Sequence, residues 1–225
     1  MIFFVLMSLL RYRHTNESLA AIVEGLDVQP SDAVLAVSAS GDQPFAILEK
    51  AAKVVAVDED IVQLNYTKIK AKILEIGNYY KFLYFAEPGD EMERVQLAQA
   101  VRYFRIDGRL RRIRLKLPNL DTRLGDISSI EYGEKFDKMY LSDVPIADLG
   151  WRQHHFEVLC TALIQGGLMY VAGNAAIEDV RQNVLRIPRL IMPKCMVLDE
   201  RLTAVARRHE TESEIMRWIP EIYRK

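Results

Sequence analysis

The chain has little cysteine, no excess of charge of either sign and no long apolar run, and each shortage removes a class of protein. Only two of its 225 residues are cysteine, Cys160 and Cys195, and they stand far apart with no Cys-x-x-Cys pairing. That argues against a disulfide framework and a zinc knuckle, and no metal site is expected. Two buried thiols in a reducing cytoplasm are the expectation. Thirty basic residues against thirty-one acidic ones leave a formal net charge of -1. No overall field draws such a protein toward nucleic acid, so no nucleic-acid partner is expected and any basic site is local. The most apolar stretch, MIFFVLMSLL, is ten residues long, against the ~20 that a membrane-spanning helix needs. It has no basic segment before it and no small-residue cleavage site after it, so neither a span nor a signal is expected. Two readings stay open for it: a helix packed on the domain, or an apolar flap on a membrane surface with Arg11 and Arg13 at the headgroups.

What is present fits one domain over residues 1–225: 50% of the residues are hydrophobic and 27% charged, enough for a well-buried core of ordinary globular type. No repeat, low-complexity tract or second domain shows. NESLAAIVEG reads as a helix capped by Asn16, part of a helical cover over residues 1–30. Val34 to Val37 and Val54 to Val57 are short uninterrupted apolar runs, the signature of strands buried on both faces of a parallel sheet. Helices are predicted over Phe45 to Ala52 and Val62 to Ile76, giving a right-handed strand-helix-strand-helix start. Residues 78–120 form an insertion, aromatic and then basic, of the length that lids and substrate loops have. It is expected above the ligand face, with Asp107-Gly108 as a hairpin turn. Later come a strand over Lys138 to Leu141, a helix over WRQHHFEVLCTALIQGG stopped by Gly166-Gly167, and a strand over Leu168 to Ala172. Further strands are expected near Met196 to Leu198 and near Ile222, with a helix near Ala204.

The turn after the first strand carries the functional question. A dinucleotide fold binds at the carboxyl ends of its strands, with a three-glycine turn approaching the pyrophosphate and an acid after the second strand holding ribose hydroxyls. Asp58 stands where that acid belongs. The turn, Ser38-Ala39-Ser40-Gly41-Asp42, has one glycine and puts a carboxylate at the helix entrance, where a phosphate would want none. A ligand with ribose hydroxyls, no phosphate, an ammonium and a sulfonium suits this turn, and S-adenosylmethionine has those properties.

The layout of Val34-Leu35-Ala36-Val37, Asp58, Gly125-Asp126, Phe136-Asp137 and Gly166-Gly167 resembles the S-adenosylmethionine-dependent methyltransferase superfamily, which implies a Rossmann-like doubly wound α/β sheet of the class I methyltransferase type. YRHTNES, VLAVSASGDQPFAIL, VAVDEDIVQLNYTKIKAKIL and YLSDVP look more narrowly like the S-adenosylmethionine:diacylglycerol 3-amino-3-carboxypropyltransferases of betaine-lipid synthesis. The departures are Ser40-Gly41-Asp42-Gln43 in place of Ala-Gly-Cys-Asn, and Asp60-Ile61 in place of Asn-Pro. Carried over by position, the resemblance puts Ser38, Ala39, Ser40, Gly41 and Asp42 around the methionine part of the cofactor and Asp58 with Glu59 at the ribose. It puts Asp126 and Ile127 beside adenine, and Ser142 and Asp143 at the sulfonium and the incoming nucleophile as catalytic residues.

The resemblance implies a transferase that moves the 3-amino-3-carboxypropyl group to a lipid or small-molecule acceptor and releases methylthioadenosine. Methyl transfer to a small molecule, and a cofactor-binding module without catalysis, are the alternatives. A cytoplasmic protein is expected, with peripheral membrane contact left open. That contact would be made by Met1 to Leu10, the aromatics Tyr79, Tyr80, Phe82, Tyr84 and Phe85, and the run Arg102, Arg105, Arg109, Arg111, Arg112, Arg114 and Lys116. The alternative for that run is pairing with Glu87, Asp90, Glu91 and Glu93. His14 lies in the early stretch that resembles the family's cofactor-covering segment. His154 and His155, adjacent on a helix, point about 100° apart and cannot share a metal.

Overall fold

A computed structural model describes residues 9–129, 131–144, 153–174, 192–211 and 218–225. Most of the apolar N-terminal stretch and the first residues of the helix expected from Trp151 lie outside them. A seven-stranded sheet in the order β3-β2-β1-β4-β5-β7-β6 organises the chain. Its strands are β1 Ala33–Val37, β2 Lys53–Asp58, β3 Leu120–Leu124, β4 Phe136–Tyr140, β5 Leu163–Asn174, β6 Val197–Leu198 and β7 Trp218–Arg224. The first five pair parallel, while β7 enters antiparallel between β5 and β6. This is the class I methyltransferase form of the doubly wound sheet that the sequence implies. Strand alternation divides the core as a period of two requires. Val34, Ala36, Val54, Tyr140, Tyr170 and Ile222 face one apolar cluster. Leu35, Val55, Val57, Met139, Met169 and Val171 face the other.

The first face is covered by α1 Leu19–Gly25, α2 Asp42–Lys50, α3 Ile61–Glu75 and α8 Glu200–Thr211, the second by α7 Gln153–Ala162. Ser18, not Asn16, caps α1, its hydroxyl accepting from Ala21 N. The helix α7 ends at Ala162, and Gly166-Gly167 lies inside β5 instead of stopping a helix. A Cβ on Gly167 would come within 2.8 Å of the Asp137 carbonyl, so that glycine serves a close strand approach. Residues 78–120 form three helices, α4 Tyr79–Leu83, α5 Glu91–Phe104 and α6 Arg109–Lys116. They extend the layer made by α1, α2 and α3, with Phe82, Phe104, Leu110 and Ile113 in the core of that face. Asp107-Gly108 is an interhelical turn and not a hairpin: Gly108, at φ 71°, is the N-cap of α6. Among the described residues no helix is long and apolar enough to cross a membrane.

Candidate functional site

The carboxyl ends of β1 to β4 open into a cleft of about 290 Å³ lined by Val37, Ala39, Val57, Asp58, Glu59, Asp60, Gly125, Asp126, Ile127, Asp143 and Val144, with Arg11, Tyr12 and Gln63. That is the edge where an open α/β sheet places a ligand, and the volume sits near the lower end for a small-molecule site. No residue of 78–120 lines it.

Of the residues in the β1 turn, only Ala39 faces the cleft. It holds a left-handed backbone, φ 44°, which aims its amide at Asp58 Oδ2, 2.9 Å away. Ser38, Ser40 and Asp42 are buried and turned the other way. Ser38 Oγ meets Thr67 Oγ1 at 2.9 Å. Ser40 Oγ lies within the turn, 3.2 Å from Asp42 Oδ2 and 3.1 Å from Gln43 Oε1, with one proton shared between them. Asp42 forms a buried ion pair with Lys70 and accepts from Thr15 N at 3.0 Å. Gly41 is required: φ is +79°, and a Cβ there would meet Thr67 Oγ1 at 2.8 Å. Lys70 also lies over the rings of Tyr66 and Phe82. Behind this pair His14 borders a small cavity away from the cleft, with Nε2 unpartnered. Burial pushes its imidazole down to about 4. The sequence reading missed Gln63, Thr67 and Lys70. Their signal was present as polar residues at i, i+4 and i+7, which share one face of α3. Gln63 staples the N-terminal strap, residues 9–18, to the turn: its Oε1 accepts from Arg11 N and Tyr12 N, and its Nε2 donates to Tyr12 O and Ala39 O.

Asp58 is the best-fixed acid in the cleft. Oδ2 accepts from Ala39 N and Oδ1 from Asp60 N at 3.0 Å, which leaves a lone pair on each oxygen for ligand hydroxyls. Burial pushes its carboxyl up to about 6, against the two amides that favour the charged form. Glu59 lies beside it on the rim. Gly125 N bonds to the Asp58 carbonyl at 2.9 Å, bringing the end of β3 to the end of β2. Asp126 Oδ1 accepts from Ser128 N and Ser128 Oγ, both at 2.8 Å, which fixes the carboxylate at the lip. Ile127, Val37, Val57 and Val144 supply apolar wall.

At the end of β4 the chain turns through Ser142, again left-handed at φ 55°. Asp143 lines the cleft and Ser142 does not. Ser142 Oγ lies 3.3 Å from Asp143 Oδ1 and hydrogen-bonds Glu17 Oε1, which also accepts from Tyr140 Oη at 2.6 Å. Glu17 is fully buried, and burial pushes it up to about 7. Glu210, whose Oε1 accepts from Ser18 N at 2.8 Å, is pushed up to about 8 by burial and then by Glu17. Glu17 Oε2, Glu210 Oε2 and Tyr170 Oη are buried with no partner at hydrogen-bond geometry among the described residues, and Tyr170 still lies close enough to Glu17 to act on it. Tyr12 reaches over the same end of the cleft: burial, then the charges of Asp143 and Asp58, raise its phenol. Asp143 is raised too, by burial.

The remaining candidates lie elsewhere. His154 is exposed, His155 half-buried, and their rings stack 3.8 Å apart. The arginine run is largely engaged, and not with the acids near it in sequence. Arg109 and Arg112 pair with Glu49 at 2.6 Å each, Arg109 lies over Tyr103, and Arg114 Nε donates to the Glu75 carbonyl. Glu93 pairs with Arg13. Of the two cysteines, Cys160 is buried and Cys195 exposed, where two buried thiols were expected.

No family model matches the chain and no curated protein matches it. Among solved structures it is similar to the N-methyltransferase NodS from Bradyrhizobium japonicum WM9, with a TM-score of 0.51 and 10% identity over 92% of this chain and 93% of that one. It is also similar to an rRNA methylase from Streptococcus thermophilus, with a TM-score of 0.49 and 10% identity over 91% of this chain and 93% of that one. At such identities the likeness is one of fold.

Proposed function

We propose that the chain is an S-adenosylmethionine-dependent methyltransferase acting on a small molecule. The observation that carries this reading is Asp58: a carboxylate at the end of β2, aimed by the Ala39 and Asp60 amides, with lone pairs left for the two ribose hydroxyls. The other residues of the cleft fit the same ligand. Asp126 would accept from the adenine amino group between the apolar side chains of Ile127 and Val57, and among the described lining residues Arg11 is the one guanidinium for a carboxylate. The bound cofactor supplies an electrophilic methyl carbon on a sulfonium. The chain's own part is to orient the ribose through Asp58 and to hold the acceptor and its proton at Asp143.

The choice of transferred group follows from the β1 turn. The reason to expect aminocarboxypropyl transfer is the resemblance of the turn Ser38 to Gln43 to that of the aminocarboxypropyltransferases. The side chains of Ser38, Ser40 and Asp42 are engaged inward, so that reason loses its support, while the fold-level likeness to methyltransferases favours methyl transfer. A lipid acceptor loses support in the same way, since Phe82 and Phe85 are core residues and the arginines are mostly paired.

Titration calorimetry with S-adenosylmethionine and S-adenosylhomocysteine tests the reading, with binding expected to weaken at least tenfold in Asp58→Ala. No heat with either ligand, from folded protein, would overturn it. Chromatography of spent cofactor is expected to show S-adenosylhomocysteine. Methylthioadenosine in its place would restore the aminocarboxypropyl reading, and cofactor binding with neither product would leave a non-catalytic module.

A further inference from the structure

The described cleft carries five carboxylates, Asp58, Glu59, Asp60, Asp126 and Asp143, against a single guanidinium, Arg11. Clefts lined by one sign of charge focus their field and concentrate ligands of the other sign. Asp58 and Asp126 have partners in the proposed cofactor, and Asp60 caps α3 by accepting from Val62 N. Asp143 sits apart from these at the end of β4. It has Tyr12 nearby and leads through Ser142 to a buried carboxyl. We infer that the acceptor is a cationic amine seated on Asp143 beside Tyr12, and that the proton it must shed passes inward through Ser142 to Glu17. This deepens the transferase reading and rests on it for the use made of the amine.

An ammonium has no lone pair, so an N–H bond must break, its electron pair staying on nitrogen, before the nitrogen can be alkylated. The proton goes to Asp143. From Oδ1 it can move to Ser142 Oγ while the serine's own proton moves to Glu17 Oε1, because a hydroxyl donates and accepts at once. The geometry requires that two carboxyls share this hydroxyl: Ser142 Oγ is placed against Asp143 Oδ1 and Glu17 Oε1 and has one proton to give. Ser142 is held in place by its left-handed backbone and by the position of Glu17, on which Tyr140 also converges. Glu17 faces Tyr140 and Asp143 at the end of β4, Tyr170 on β5 and Glu210 on α8, and no cation among the described residues balances it. Oε1, on which Ser142 and Tyr140 both converge, is the oxygen that receives the proton. Burial keeps the group near neutrality, so both its protonation states are populated where an enzyme works.

The charge of the acceptor is tested without cofactor, by NMR shift titration at pH 7 with benzylamine, benzyl alcohol and benzoate as probes. The ammonium is expected to bind at the cleft at least tenfold tighter than the carboxylate. Asp143→Asn is expected to remove that preference, while Arg111→Ala, at an exposed position of α6, keeps it. Equal binding, tighter binding of benzoate, or no shift at cleft residues with any probe would overturn the amine site. The relay is tested by following the side-chain carboxyl of Glu17 through a pH titration with and without benzylamine. Its midpoint is expected to move on binding in the wild type and not in Ser142→Gly, which tolerates the left-handed backbone. A midpoint indifferent to the amine, or coupling that survives in Ser142→Gly, would overturn the relay. Amine binding without cofactor binding would sink the transferase reading and leave the amine site standing.

Discussion

Two loops at the carboxyl edge of the sheet, after β1 and after β4, are built alike and held differently. Each turns through a left-handed non-glycine residue, Ala39 in one and Ser142 in the other. Each is tied to the same N-terminal strap, through Thr15 to Asp42 and through Glu17 to Ser142. The β1 loop is tied by a closed charge pair: Asp42 has Lys70, Thr15 and Ser40, and both ions are buried. The β4 loop is tied by a buried carboxyl with one oxygen unpartnered, next to a second such carboxyl. A compensated buried pair is costly to break, whereas burial pushes an uncompensated acid such as Glu17 up toward neutrality. One loop is therefore a fixed wall and the other a chemically responsive one.

The sharpest way to break the comparison is to remove one ion from the fixed loop. Lys70→Met leaves Asp42 buried without its counter-ion and is expected to destabilise by about 3–5 kcal/mol in urea unfolding, with most of that regained in Asp42→Asn/Lys70→Met. Additive losses in the double variant would show that the pair is not coupled.

Next in size is the pH dependence of the responsive loop. Burial raises Glu17 and Glu210 from the ordinary carboxyl value of 4.5 to about 7 and about 8. The stability each contributes is fully present below about 4.5 and is lost as pH rises through its folded value. Glu210→Gln keeps an acceptor for Ser18 N and is expected to flatten the loss between pH 5 and 8, by roughly 2 kcal/mol or more at the alkaline end. An unchanged profile of unfolding free energy against pH would contradict this. His14 acts oppositely: lowered to about 4, it contributes stability present above 6.5 and lost as pH falls toward 4.

A smaller effect belongs to the cofactor end. Asp58 accepts hydroxyls best as a carboxylate and is raised to about 6. Affinity for S-adenosylmethionine is therefore expected to fall about tenfold, roughly 1.4 kcal/mol, between pH 7 and 5. Calorimetry giving flat affinity across that range would remove Asp58 as a ligand. Smallest is Arg114→Ala on α6, whose contact with the Glu75 carbonyl is exposed. A change within about 0.5 kcal/mol is expected, and a larger one would mean that this face of the insertion is more than a solvated surface.

Much of this could be read from residue order, and the misses share a cause. Val34 to Val37 and Val54 to Val57 were legible because a strand buried on both faces admits only apolar side chains. The edge strand β3, LDTRL, is half-buried and mixes polar with apolar residues, so no apolar run marks it. Asp107-Gly108 does mark a turn, but what a turn joins depends on its flanks, here two amphipathic helices. Asp58, Asp126 and Asp143 were found because residues just past a parallel strand point out of its end. Ser38, Ser40 and Asp42 were assigned to the ligand by position, and the fold turns them onto α3 and the strap.

By itself the sequence determined the strand order's beginning, the two-sided burial of the central strands and the acids at their ends, because those depend on local periodicity and on position along one strand. Only the tertiary structure decided which side of the β1 turn its polar groups serve, and that Glu17 meets Ser142 across 125 residues of chain. Hydrogen bonds between groups so distant are selected by the packing of whole elements. No local pattern of residue types contains that information until the strap, the turn and the ends of β4 and β5 are brought together.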